Sequence, residues 1–107
     1  MIHKAPAPDP DKIRVIFELP SSIWAEKIYL VGEFNGWNRT SHPLRQERDG
    51  AWRISLDLPK GRRYQFRYLI DGTQWQNDPD ADDYVPNEFG SYNSVVSTEV
   101  SPEGKDG

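Results

Sequence analysis

Trp37 and Trp75 each stand beside a turn, in Glu33-Phe-Asn-Gly-Trp-Asn38 and in Asp71-Gly-Thr-Gln-Trp-Gln76, outside any long alternating run. An indole at a loop edge offers a rigid flat surface with one N–H donor, suited to a ligand that has apolar patches and many hydroxyls. Sugars are such ligands. The C–H face of a pyranose stacks on the ring while its hydroxyls take fixed amides and charged donors. Arg67 is a candidate donor, because it alternates with Phe66 and Tyr68 and therefore points away from the core, on the face shared by Gln65 and Leu69. On residue types and pattern alone, these side chains fit either a carbohydrate surface or a plain interaction or structural domain.

Other chemistries are poorly supplied. A zinc site needs three or four His, Cys or carboxylate ligands, and the chain has His3 near its start, His42 in a loop and no Cys, so no metal and no cofactor is expected. Asp78, Asp80 and Asp82 have the spacing that opens a calcium loop. However, Asp83 stands where that loop needs Gly and Phe89 where it needs Glu, which leaves a solvated acidic loop as the expectation. No G-x-S-x-G elbow is present and neither His sits in a triad context, so no catalytic residue is assigned. A carboxylate pair for glycoside hydrolysis needs a cleft that a small sandwich rarely builds.

The elements that must position these residues have period two. Ile13, Val15, Phe17 and Leu19 alternate with polar neighbours. Lys27 to Phe34 is a more continuous run, and Trp52, Ile54, Leu56 and Leu58 form the cleanest alternation. Tyr64, Phe66, Tyr68 and Ile70 alternate up to Asp71-Gly72, a hairpin signal because both residues tolerate positive φ. Gln74 to Gln76 reads as the return strand and Asn93 to Val100 as the last one. No window carries a sustained 3.6-residue period, so the expected fold is all-β, an immunoglobulin-like antiparallel β-sandwich with little or no helix. Residues 1–11, with three prolines between Ala5 and Asp11, read as a flexible leader. Residues 12–100 read as the domain and residues 101–107 as a flexible tail.

With 107 residues there is room for one core. Thirteen Lys plus Arg against seventeen Asp plus Glu give a net charge of −4, the wrong sign for binding a phosphate backbone, so nucleic acid is not an expected partner. No apolar run approaches the ~20 residues of a membrane span. Met1 to Lys12 lacks the apolar stretch of a secretory signal, and a cytoplasmic location is expected.

The ordered succession Ile28-Tyr-Leu-Val-Gly-Glu-Phe-Asn-Gly-Trp37, Pro43-Leu44, Gly50 to Pro59, Tyr64 to Gly72, Trp75, Asp78-Pro79 and Phe89-Gly-Ser-Tyr-Asn-Ser-Val-Val96 resembles the glycogen-binding domain of the AMP-activated protein kinase beta subunit. It is equally similar to the early-set domains that precede the catalytic barrel in isoamylases and branching enzymes, carbohydrate-binding module family 48. The resemblance covers about residues 13–98 and implies an α-1,4-glucan site. By it, Trp37 and Trp75 form the stacking platform and Arg67 stands where the kinase form has a Lys. Phe89 stands for an apolar finger, Ser91 for a hydroxyl residue, and Asn93 for the Asn of the final loop. The implied function is non-catalytic binding of glycogen, starch or maltooligosaccharides. The alternative is a structural or protein-interaction module beside a glycoside hydrolase family 13 enzyme or within a kinase complex.

Overall fold

The computed structural model describes residues 1–99. Its strands are β1 (Ile2–Pro6), β2 (Lys12–Leu19), β3 (Ile28–Gly32), β4 (Arg45–Gln46), β5 (Trp52–Pro59), β6 (Arg63–Ile70), β7 (Gln74–Gln76), β8 (Asp83–Pro86) and β9 (Tyr92–Ser97). One turn of 3-10 helix, Glu33–Asn35, follows β3. The strands form two antiparallel sheets, ordered β1-β2-β5-β4 and β3-β6-β9-β8, with β7 paired to β6. This is the expected all-β sandwich.

Alternation explains which side of each strand is buried. Val15, Phe17 and Leu19 of β2 and Trp52 and Leu58 of β5 face Ile28, Leu30, Phe66, Tyr68, Ile70 and Val96 of the other sheet in one cluster. Phe17 meets Phe66 edge-on at 5.1 Å between ring centroids, and Phe66 meets Tyr68 in the same way at 5.6 Å, geometries that favour the ring quadrupoles. The aromatic residues that the alternation turns to one face are thus core: Phe17, Trp52, Phe66 and Tyr68 are in the cluster, and Tyr64 packs against it.

Order starts earlier than the leader's prolines suggest. β1 pairs with β2 from Ile2↔Phe17 to Pro6↔Ile13, so residues 2–6 are a strand and not a flexible leader. The reason is position: β1 is the edge of its sheet, where a missing N–H facing solvent breaks no ladder bond. The expected tail, 101–107, and Val100 lie outside the described residues.

Two of the sheet edges are modified. Along β3, the Leu30 N–H donates to His42 O and the Leu44 N–H to Ile28 O, both at 2.8 Å, so residues 42–44 cover that edge. The opposite edge strand of the same sheet, β8, ends in Pro86.

On β6, Arg63 to Phe66 pair with β9, whereas Tyr68 to Ile70 pair with β7. Arg67 falls at the changeover, opposite Val31 of β3. Val31, Leu69 and Val95 project from the outer face of this sheet and are nonetheless buried, at 0%, 3% and 2% exposure. A layer of side chains must therefore cover that face, and the site is built in this layer.

Gly32, where β3 ends, has extended backbone that any residue adopts. It is glycine because of contact: a Cβ there would stand 2.7 Å from Gln65 O and 2.8 Å from Phe66 Cβ. Gly32→Ala is expected to destabilise by roughly 1–3 kcal/mol through overpacking, seen as a lower urea midpoint with an unchanged slope. Among the described residues no helix is long and apolar enough to cross a membrane.

Candidate functional site

Trp37 is placed by a short, tightly bonded turn. The Asn35 side chain accepts the Gly32 N–H at 3.1 Å and donates to Leu30 O at 3.0 Å. Its amide nitrogen also lies 3.1 Å from His42 Nδ1. The Trp37 N–H donates to Gly32 O at 2.8 Å. Gly36 and Trp37 both take left-handed conformations, φ 64° and 61°. For a tryptophan that conformation costs about 1–3 kcal/mol, and the Asn35 bonds hold it in place.

Trp75 arrives from the opposite direction. Asp71 (φ 52°) and Gly72 (φ 75°) make the tight reversal expected of Asp-Gly, and β7 returns with Trp75 opposite Leu69. The guanidinium carbons of Arg67 and Arg39 each lie 5.4 Å from the centroid of its ring system. Each such cation over an indole contributes roughly 0.5–2 kcal/mol and steadies the ring's plane. Burial lowers the pKa of Arg67 from its usual value, because desolvation disfavours the charged form. Its Nε is buried without a hydrogen-bond partner among the described residues. A buried donor left unpaired costs about 1–3 kcal/mol.

The third wall is the loop between β8 and β9. Asn87 Oδ1 accepts the N–H groups of Phe89 at 2.9 Å and of Ser91 at 3.1 Å, which curls the loop and presents Phe89 at 85% exposure. The Asn87 side chain donates to Asn93 Oδ1 at 3.2 Å, and Asn93 Nδ2 donates to Gln65 Oε1 at 3.0 Å. Three amides thus form a chain that fixes the orientation of each. The carboxylate of Glu33 accepts the Gln65 N–H at 2.8 Å, extending the β3–β6 pairing past Gly32.

These walls enclose one groove of about 860 Å³. Of the six residues singled out from sequence, Trp37, Arg67, Trp75, Phe89 and Asn93 line it; Ser91 does not. Trp37 and Trp75 are 39% and 36% exposed, so both indoles are open to solvent in the same groove. Arg39, Gln65, Glu33 and Asn87 also line it and were not singled out as site residues. Gln65 was readable as sharing the face of Arg67. Arg39 and Asn87 lie in loops, where periodicity gives no direction.

Asp78 departs from the solvated acidic loop expected of it: it is fully buried. It accepts the Tyr68 hydroxyl at 2.7 Å and the Asp80 N–H at 2.7 Å, and its backbone carbonyl accepts the Tyr84 hydroxyl. Burial, together with the adjacent Asp78 charge, pushes the Tyr68 phenol well above its ordinary pKa. Next to it, Asn77 donates to Tyr92 O at 3.0 Å and accepts from Ser94 Oγ at 2.9 Å, tying the exit of β7 to β9. Asp78 is thus a buried fastening for the strand that carries Trp75, while Asp80 and Asp82 are exposed as expected.

The arrangement supplies flat apolar faces, fixed amides and guanidinium donors. Residues 13–103 match the family described as the glycogen recognition site of AMP-activated protein kinase. The 1,4-alpha-glucan-branching enzyme of Dictyostelium discoideum is 56% identical over 38 residues, 36% of this chain and 5% of that protein. The branching enzyme GlgB 2 of Xanthomonas campestris is 38% identical over 59 residues, 49% of this chain and 8% of that protein. The branching enzyme GlgB of Photobacterium profundum is 30% identical over 74 residues, 67% of this chain and 10% of that protein. The chain therefore spans between 5% and 10% of the length of these relatives.

Proposed function

The chain belongs to the family of the glycogen recognition site of AMP-activated protein kinase, a carbohydrate-binding module of the early-set type, and from that membership we propose that its groove is an α-glucan site. In this reading Trp37 and Trp75 stack on glucose faces, while Arg67 and the fixed amide of Asn93 hold hydroxyls. Phe89 leans on the sugar from the rim. Ser91 holds its loop through its backbone and makes no groove contact with sugar.

The observation that carries the reading is the pair of half-open indoles in one groove, with the guanidinium groups of Arg67 and Arg39 beside them. A neutral polyhydroxy ligand satisfies both features at once: its C–H faces cover the rings and its oxygens accept from Arg67.

The module binds without transforming its ligand. Among the described residues, Glu33 and Glu88 are the only carboxylates lining the groove, and one oxygen of Glu33 is already held by a backbone N–H. Its role is to keep a glucan-active enzyme on its polymer, a reading supported by its similarity to segments of branching enzymes.

An open groove of this kind binds with a dissociation constant on the order of micromolar to millimolar, roughly −4 to −8 kcal/mol. Titration with maltoheptaose is expected to change tryptophan fluorescence saturably in that range. The change should be nearly independent of salt, because the ligand is neutral. A β-1,4-linked glucan of the same length serves as control. A flat maltoheptaose titration, or equal responses to both sugars, rejects the reading.

A further inference from the structure

Trp24 is 94% exposed, more than any other large apolar side chain among the described residues, and nothing in the groove uses it. Its loop is nevertheless firmly held. Ile23 and Ala25, on either side, pack against the core, and the Ile23 N–H donates to Pro20 O at 3.2 Å. The N–H groups of Glu26 and Lys27 both donate to Asp71 Oδ1, at 2.8 and 3.0 Å, and the Asp71 N–H donates to Lys27 O at 2.9 Å. The indole is therefore presented on a fixed base. Exposing so large an apolar face to water forgoes roughly 1.5–3 kcal/mol that burial would return.

We propose that Trp24 is a second α-glucan contact, separate from the groove, on which another stretch of the same polymer stacks. The surroundings favour a sugar over a protein. Protein docking calls for a contiguous apolar patch of several hundred Å². Around Trp24 the chain instead exposes Ser21, Ser22, Glu26 and Lys27, with Asp71, Thr73 and Gln74 at the adjoining turn. One flat indole among hydroxyls, carboxylates and an ammonium group matches a pyranose, with a C–H face for the ring and hydroxyls for its neighbours.

The Asp71 clamp also sets the reach. Trp24 lies two residues before Glu26, and Trp75 four residues after Asp71. The two Cα atoms are therefore within about 30 Å, as chain dimensions require. A long glucan held in the groove is thus present at high effective concentration around Trp24, and a second weak contact then strengthens binding to polymer without strengthening binding to short fragments.

This inference rests on the glucan reading of the groove, and the test separates the two. The full chain and its Trp24→Ala variant are titrated with maltotetraose, which occupies the groove alone, and with glycogen. The variant is expected to keep the maltotetraose affinity within twofold and its melting temperature within 2 °C, while losing tenfold or more in glycogen affinity. Equal glycogen affinities for the two proteins overturn the second contact and leave the groove standing. Parallel loss on both ligands overturns it as well, by making Trp24 part of the groove. A wild-type chain that binds neither ligand overturns the groove reading, and this one with it.

Discussion

Trp75→Ala is expected to weaken maltoheptaose binding at least thirtyfold, and Trp37→Ala to do the same, with the fold intact in both. The size follows from how few contacts an open groove offers. Buried aromatic anchors typically carry 2 kcal/mol or more of a binding energy, and each 1.4 kcal/mol is a factor of ten. Against a total of roughly −4 to −8 kcal/mol, losing one of two stacking planes leaves little measurable affinity. Trp75→Ala also releases Arg39 and Arg67 from the ring they lie over, so the remaining donors lose their fixed placement.

Stability should change much less. Both rings are more than a third exposed, and alanine inherits at position 37 the same left-handed backbone that tryptophan already occupies. Isothermal titration paired with thermal melting checks the claim. A variant that binds as tightly as the wild type sinks the platform assignment, and one that unfolds shows the ring to be core.

Trp52→Ala is expected to do the reverse. Trp52 is 5% exposed, sits opposite Leu19 in β5, and belongs to the central cluster. Removing a buried indole costs about 3–5 kcal/mol. In a domain of this size each kcal/mol lowers the melting temperature by roughly 4–8 °C, so a fall on the order of 15–30 °C is anticipated.

Trp52→Phe sharpens the test. The indole N–H is buried without a partner among the described residues, so phenylalanine removes an unsatisfied donor while keeping most of the ring. It should therefore cost less than half as much as alanine. While still folded at low temperature, either variant should bind maltoheptaose as the wild type does. Calorimetric melts that rank the two substitutions equally would contradict this account of the site.

The three tryptophans that could be sorted from sequence were sorted by alternation. Trp52 lies in a strict period-two run, which fixes its side of the sheet, while Trp37 and Trp75 border turns and stand outside such runs. Arg67 was legible for the same reason, because a residue between Phe66 and Tyr68 must face the other way. Trp24 was not legible: it stands between Ile23 and Ala25 in a loop with no period, and its outward direction follows only from the packing of both neighbours against the core and its own exposure.

The Asn35 turn and the Gln65–Asn93–Asn87 chain escaped for a different reason. Each depends on side chains meeting across elements, and an asparagine's partner cannot be deduced from its spacing. The strand at Ile2–Pro6 was hidden by Pro6 and the two prolines that follow it, since proline forbids a central strand but not an edge strand whose open side needs no donor.

Modules that gather on one glycogen particle are crowded against copies of themselves. Under such crowding a free, flat strand is a template for runaway stacking of neighbours. Residues 42–44 are already seated along β3, and Pro6 and Pro86 each remove one donor from the outer side of β1 and β8. Along the β3 border in particular, a crowded neighbour finds the backbone groups already taken.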